Sequence, residues 1–213
     1  MQALLIGSIG VLTETSELQR QAYNQAFLAH GLDHYWNVAT YCSALVEPGG
    51  LRRLSKHFPA VEAELLARVH HDKQRYFDDL ARKGLTLRPG VKSILGRCKE
   101  RGIKIGFATT AAPEIIRSLI VNLEDHLDFG VFDIMTSKTE VANEKPSPDV
   151  YYVVMEQMGV TPNNSIIIED SYANYQAATT SGAQAVFFPG EYAQVPDGVA
   201  VVTDLSQVDV DDI

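Results

Sequence analysis

The stretch Ala3-Leu4-Leu5-Ile6-Gly7-Ser8-Ile9-Gly10 decides how the chain is read. An apolar run closed by glycines fits a buried strand that delivers the chain into a tight loop. The next segment is helical. Ser16, with Gln19 three residues on, has the form of a capping box, and Leu18, Ala22, Ala26 and Ala29 then keep one helical face up to Gly31. The segments at about 36–46, 50–58 and 60–83 are rich in Leu, Ala, Arg and Glu and lack period-two alternation, so they are predicted as helices too. Residues 15–84 therefore read as all-helical.

Beyond Leu87-Arg88-Pro89-Gly90 the grammar changes. Short apolar runs recur at Ile103-Lys104-Ile105-Gly106-Phe107-Ala108, Val131-Phe132-Asp133-Ile134-Met135, Ser165-Ile166-Ile167-Ile168 and Ala185-Val186-Phe187-Phe188, with a weaker one at Val199-Ala200-Val201-Val202. Amphipathic stretches at about 91–101, 112–122, 148–158 and 172–181 separate them. Strands alternating with helices of this length imply a parallel sheet covered on both faces. The first run, 3–6, must join that sheet. The expected fold is thus α/β: a doubly wound parallel sheet formed by 1–14 and 85–213, with 15–84 inserted as a helical cap.

Composition narrows the function classes. The chain has 213 residues, 46% hydrophobic and 21% charged, which suits a globular α/β core with a small appended unit. Acids outnumber bases 27 to 18, for a net charge of −9, and no Lys/Arg run is present, so nucleic acid is not expected as a partner. Cys42 and Cys98 fit no metal spacing and read as free thiols of a reducing compartment. The run 3–6 lacks a basic flank and breaks at Gly7, so neither a signal peptide nor a membrane span is expected, and the cytoplasm is the default location. The tail Asp209-Val210-Asp211-Asp212 reads as solvated surface.

In open parallel sheets ligands bind beyond the carboxyl ends of the strands. That singles out Gly7 to Gly10, Thr109-Thr110, Lys145 with Pro146, and Glu169-Asp170. Hydroxyls and an ammonium suit phosphate oxygens, and paired carboxylates suit a divalent cation. Further segments carry a wider likeness: Glu14-Thr15-Ser16-Glu17-Leu18-Gln19-Arg20-Gln21-Ala22-Tyr23-Asn24, Pro48-Gly49-Gly50-Leu51-Arg52-Arg53, Phe107-Ala108-Thr109-Thr110, Glu144-Lys145-Pro146-Ser147-Pro148-Asp149 and Ile168-Glu169-Asp170-Ser171. With these the sequence resembles the haloacid-dehalogenase superfamily of phosphatases and phosphomutases, in its CbbY-like branch related to β-phosphoglucomutase and xylulose bisphosphate phosphatase. The resemblance implies a Rossmannoid core with phosphate held by Thr109, Thr110 and Lys145. It also implies Mg²⁺ at Glu169, Asp170 and the Ile9 carbonyl, and cap contacts to substrate from Gln19, Arg20 and Arg53.

The resemblance fails at the first motif. There the family has Asp-x-Asp-Gly, the first Asp attacking phosphorus and the second acting as acid and base. This chain has Gly7 and Ile9 at those positions, and Ser8 between them is expected to face away, because neighbouring residues leaving a strand point to opposite sides. Gln19 replaces a family His and Leu51 a family Lys, while Ala173-Asn174 stands where the family has Asn-Gly. The expected function is that of a sugar-phosphate phosphatase homologue that binds a phosphorylated ligand, or a protein partner, without turnover, its Mg²⁺ site weakened. A Mg²⁺-dependent hydrolase using metal-bound water and an interaction protein with a relic site are the alternatives.

Overall fold

A strand in which every residue is apolar is stable only with both faces covered, and Ala3–Ile6 (β1) is fully buried along its length. The computed structural model describes residues 2–47 and 49–210. Met1, Pro48 of the Pro48-Gly49-Gly50-Leu51-Arg52-Arg53 segment, and Asp211 and Asp212, expected as solvated surface, lie outside the described residues. In chain order β1 is followed by α1 (Ile9–Leu12), α2 (Ser16–Ala29), α3 (Val38–Ala44), α4 (Gly50–His57), α5 (Ala63–Ala81), α6 (Val91–Glu100) and β2 (Lys104–Phe107). Then come α7 (Pro113–Leu123), β3 (Ile134–Met135), α8 (Asp149–Met158), β4 (Ser165–Glu169), α9 (Tyr172–Thr180) and β5 (Gln184–Phe187). The chain divides into two units, Met1–Glu14 with Thr86–Ile213, and Thr15–Leu85.

The first unit is a parallel sheet in the order β3-β2-β1-β4-β5, flanked by helices. β1 lies at its centre, with Ala3 level with Lys104 and Ser165, and Ile6 level with Phe107 and Ile168. This register brings the carboxyl ends of three strands to one edge: Gly7 N–H donates to the Ile168 carbonyl (2.9 Å) and Ala108 N–H to that of Ile6 (2.8 Å). Ala3, Leu5 and Ile167 pack in one core cluster with Val150, Val154, Met155 and Met158 of α8 and Ala177 and Ala178 of α9. At Gly106 a Cβ would stand 2.5 Å from Val154 Cγ1 and 3.2 Å from Met158 Cε, so the missing side chain lets α8 settle on β2. Gly106→Leu is expected to cost about 1–3 kcal/mol by overpacking, measured as a lower urea midpoint.

Several expectations need correction. The run 199–202 forms no strand; Val202 N–H reaches the Phe187 carbonyl (2.9 Å) but Val201 stays 41% exposed, without a covered face to stabilise pairing. Residues 129–131 wind into a 3₁₀ turn, shortening β3 to two residues. The loop after β1 contains α1. The capping box is absent, because α2 is capped one residue earlier, at Thr15, which puts Ser16 inside the helix; Gln19 Oε1 instead accepts from Lys73 Nζ.

Among its described residues the second unit holds helices and no strand. Its core is aromatic: Trp36 is fully buried and meets Tyr23 and Phe27 edge-on at centroid distances of 4.8 and 4.9 Å, a favoured geometry. The buried face of α2 runs through Ala22, Tyr23, Ala26 and Phe27, so Ala29, predicted to lie on it, is exposed.

Candidate functional site

Glu169 ends β4 with no exposed surface, so its charge must be met inside the protein. Lys145 Nζ donates to Glu169 Oε1 at 2.5 Å and also to the Gly7 carbonyl. The Tyr151 hydroxyl donates to the same Oε1 at 2.5 Å, and its ring lies 4.9 Å from the Lys145 ammonium. Oε2 is buried without a hydrogen-bond partner. Burial first, and then Glu169, push the Tyr151 pKa up, so the phenol remains a donor. Burial and the neighbouring Glu169 likewise raise the Asp170 pKa, against the pull of Ser8, Lys145 and Arg88.

Ser8, expected to face away, donates from Oγ to Asp170 Oδ1 at 2.6 Å. The strand has ended at Ile6, and Ser8 is an extended residue (φ −150°, ψ 164°) before α1, so strand alternation no longer sets its direction. Gly7 and Gly10 lie in close approach to the two carboxylates. A Cβ at residue 7 would collide with Glu169 Oε1 and Cδ, and one at residue 10 with Asp170 Oδ2. The carboxylate of Glu169 thus fills the space a side chain at position 7 would need.

Thr109 is buried at the end of β2, where its Oγ1 accepts from Ala111 N–H (3.1 Å), and Thr110 follows half-buried. Gly7, Lys145 and Glu169 are linked by direct contacts, and Asp170 is tied to the same loop through Ser8, the residue between Gly7 and Ile9. Two further participants carry little signal in the sequence. Tyr151 reads there as one more apolar position of α8, and Arg88 as part of the Leu87-Arg88-Pro89-Gly90 stretch at which the pattern changes. Arg88 ties the loop together: its guanidinium donates to the carbonyls of Gly10 (2.6 Å), Phe188 (3.1 Å) and Pro189 (2.6 Å) and lies 3.5 Å from the Phe188 ring centroid. The signal for Arg88 is its position just before Pro89-Gly90; for Tyr151, a hydroxyl on an otherwise apolar helical face.

The donor set does not fit Mg²⁺ as arranged. Mg²⁺ needs near-octahedral oxygen ligands, yet Glu169 Oε1 holds an ammonium and a phenol, Asp170 Oδ1 holds Ser8, and the Ile9 carbonyl accepts Thr13 N–H at 3.0 Å. Among the described residues no group of three or more His, Cys, Asp or Glu side chains is disposed to hold a metal ion.

Gln19, Arg20 and Arg53 belong to the helical unit. The Nε and Nη2 edge of the Arg20 guanidinium donates to the Glu17 carboxylate (2.8 and 2.6 Å), and Nη1 donates to the Trp36 carbonyl (2.7 Å). Arg53 donates from Nε to the Ala44 carbonyl (3.1 Å) and stacks over Tyr41. Lys73, bonded to Gln19, is buried against the Tyr23 and Phe77 rings, and desolvation brings its pKa down to about 7.

A sequence profile of haloacid dehalogenase-like hydrolases matches residues 10–188. Protein CbbY of Rhodobacter capsulatus is 33% identical over 92% of this chain and 89% of its own. The phosphorylated carbohydrates phosphatase of Thermotoga maritima is 28% identical over 95% and 90% respectively. The crystal structure of a mutant CbbY of Rhodobacter sphaeroides in complex with xylulose-1,5-bisphosphate superposes with a TM-score of 0.85, at 28% identity, covering 97% of this chain and 96% of that one. Among the described residues no helix is long and apolar enough to cross a membrane.

Proposed function

The chain belongs to the haloacid dehalogenase-like hydrolases, in the CbbY-like branch, and from that premise we propose that it binds a phosphorylated sugar without turning it over. Phosphatases of this family generally use Mg²⁺ and a nucleophilic carboxylate. The observation that supports the reading lies at position 7, where the resemblance leads one to expect the nucleophile: the residue is glycine, and the Glu169 carboxylate, held by Lys145, fills the space a side chain would need. Gly7 offers no atom to attack phosphorus and Ile9 none to protonate a leaving oxygen. Mg²⁺ binding is weakened for the same reason, since one carboxylate is absent and another is neutralised by the lysine.

In this reading Lys145, Thr109 and Thr110 hold the phosphate, the unit Thr15–Leu85 serves as the cap, and Gln19, Arg20 and Arg53 are its ligand contacts. CbbY has been crystallised with xylulose-1,5-bisphosphate, which makes that compound, with inorganic phosphate, the first ligand to try. The expected result is a ligand-dependent rise in melting temperature with no phosphate release above a heat-killed control. The ligand effect should be lost in Thr109→Val. Phosphate release abolished by Asp170→Ala would replace this reading with the metal-water hydrolase. One observation favours a second reading, a relic crevice: Lys145 is already engaged by Glu169 Oε1 and the Gly7 carbonyl. No thermal shift with any phosphorylated sugar would select it.

A further inference from the structure

His34 and His57 come from separate elements of the helical unit, the segment after α2 and the last turn of α4, yet their Nε2 atoms face each other at 3.1 Å. Aromatic rings flank both. His34 meets Phe27 and Phe58 edge-on at centroid distances of 5.4 and 5.0 Å, and His57 meets Trp36 and Phe58 at 5.4 and 4.8 Å. Neither residue takes part in the carboxylate site at the sheet edge.

We propose that His34 and His57 form a two-imidazole site for a borderline divalent cation such as Zn²⁺. Two imidazole nitrogens about 2.0–2.1 Å from a tetrahedral zinc stand about 3.3–3.4 Å apart, so the observed pair needs only a few tenths of an ångström of separation and a turn of the exposed His57 ring. Nitrogen donors select Zn²⁺, Cu²⁺ or Ni²⁺ over Mg²⁺, which prefers oxygen. With no third His, Cys, Asp or Glu grouped with them among the described residues, the remaining positions fall to water or an added ligand, which makes the site exchangeable. His57 also borders a cavity of about 640 Å³ with Thr40, Ser43, Glu47, Arg53 and Lys56, giving an anion room to complete the coordination.

The test uses the whole protein, treated with chelator and labelled with nitrogen-15 histidine, titrated with Zn²⁺ alone. The His34 and His57 Nε2 resonances should move together and saturate first, before those of His70, His71 and His126. Loss of a partner that merely supports a metal ligand costs about 10–100-fold in affinity, so removal of a ligand itself, in His57→Gln, should weaken the first binding event at least about tenfold. His71→Gln should leave it unchanged, and Mg²⁺ should not compete. First binding at another histidine, or unchanged affinity in folded His57→Gln as judged by its circular dichroism, overturns the proposal.

Discussion

Lys145→Met is expected to destabilise the protein by about 3–5 kcal/mol, the usual cost of stripping one partner from a buried ion pair. The lysine side chain is 7% exposed and the Glu169 side chain not at all, so water cannot replace the ammonium. What remains is a carboxylate beside Asp170 with a single phenol donor, Tyr151. Glu169→Gln in the same background should restore most of the loss, because the uncompensated charge is then gone. Urea unfolding of both single variants and the double variant at neutral pH gives the coupling directly. A Lys145→Met loss below about 1 kcal/mol, the range of exposed pairs, would mean that the pair does not organise the site.

The second large effect is a gain of activity. Gly7→Asp combined with Ile9→Asp is expected to raise phosphate release from sugar phosphates by at least about a thousandfold over the unmodified protein, since removing such partners from hydrolases costs about four to six powers of ten. The structure adds a condition. A side chain at position 7 meets Glu169 Oε1, so the glutamate must rotate away from Lys145 and Tyr151, which frees it as a cation ligand. Activity and Mg²⁺ dependence should therefore arrive together. Gly7→Asp alone should melt lower in chelator, with three acids crowded together, and recover in Mg²⁺. A double variant that stays silent would show that the exchanges at Gln19, Leu51 and Ala173 have removed substrate binding as well, and would favour the relic reading.

The sheet is legible in the sequence because its strands are buried on both faces. Continuous apolar runs such as 3–6 and 165–168 leave little ambiguity once turn residues bound them. The run 199–202 has the same composition but no neighbour to cover it, which is a tertiary fact invisible in its own residues. Gly7 and Ile9 are readable as the residues at which the resemblance leads one to expect acids. That the Glu169 carboxylate occupies the space a side chain at position 7 would need is not readable, because it depends on a rotamer choice made across two strands. Ser8 and Tyr151 illustrate the same limit: periodicity gives the direction of a side chain within an element, and both act where an element ends or where a polar tip reaches beyond an apolar face. For Arg88 the partners are backbone carbonyls, which leave no trace in residue type.

The central place of β1 sets an order of events during synthesis. The ribosome delivers this strand first, yet its two neighbours begin at Lys104 and Ser165, so the middle of the sheet waits for nearly the whole chain. Contacts between α2 and α5 are sequence-local by comparison and can form early. A nascent chain that has reached β2 but not β4 carries β1 with one bare edge, four apolar residues whose open N–H and C=O groups are a template for pairing with another chain. Chains truncated between these two strands are therefore expected to aggregate more readily than the full-length protein, measured as the insoluble fraction after synthesis.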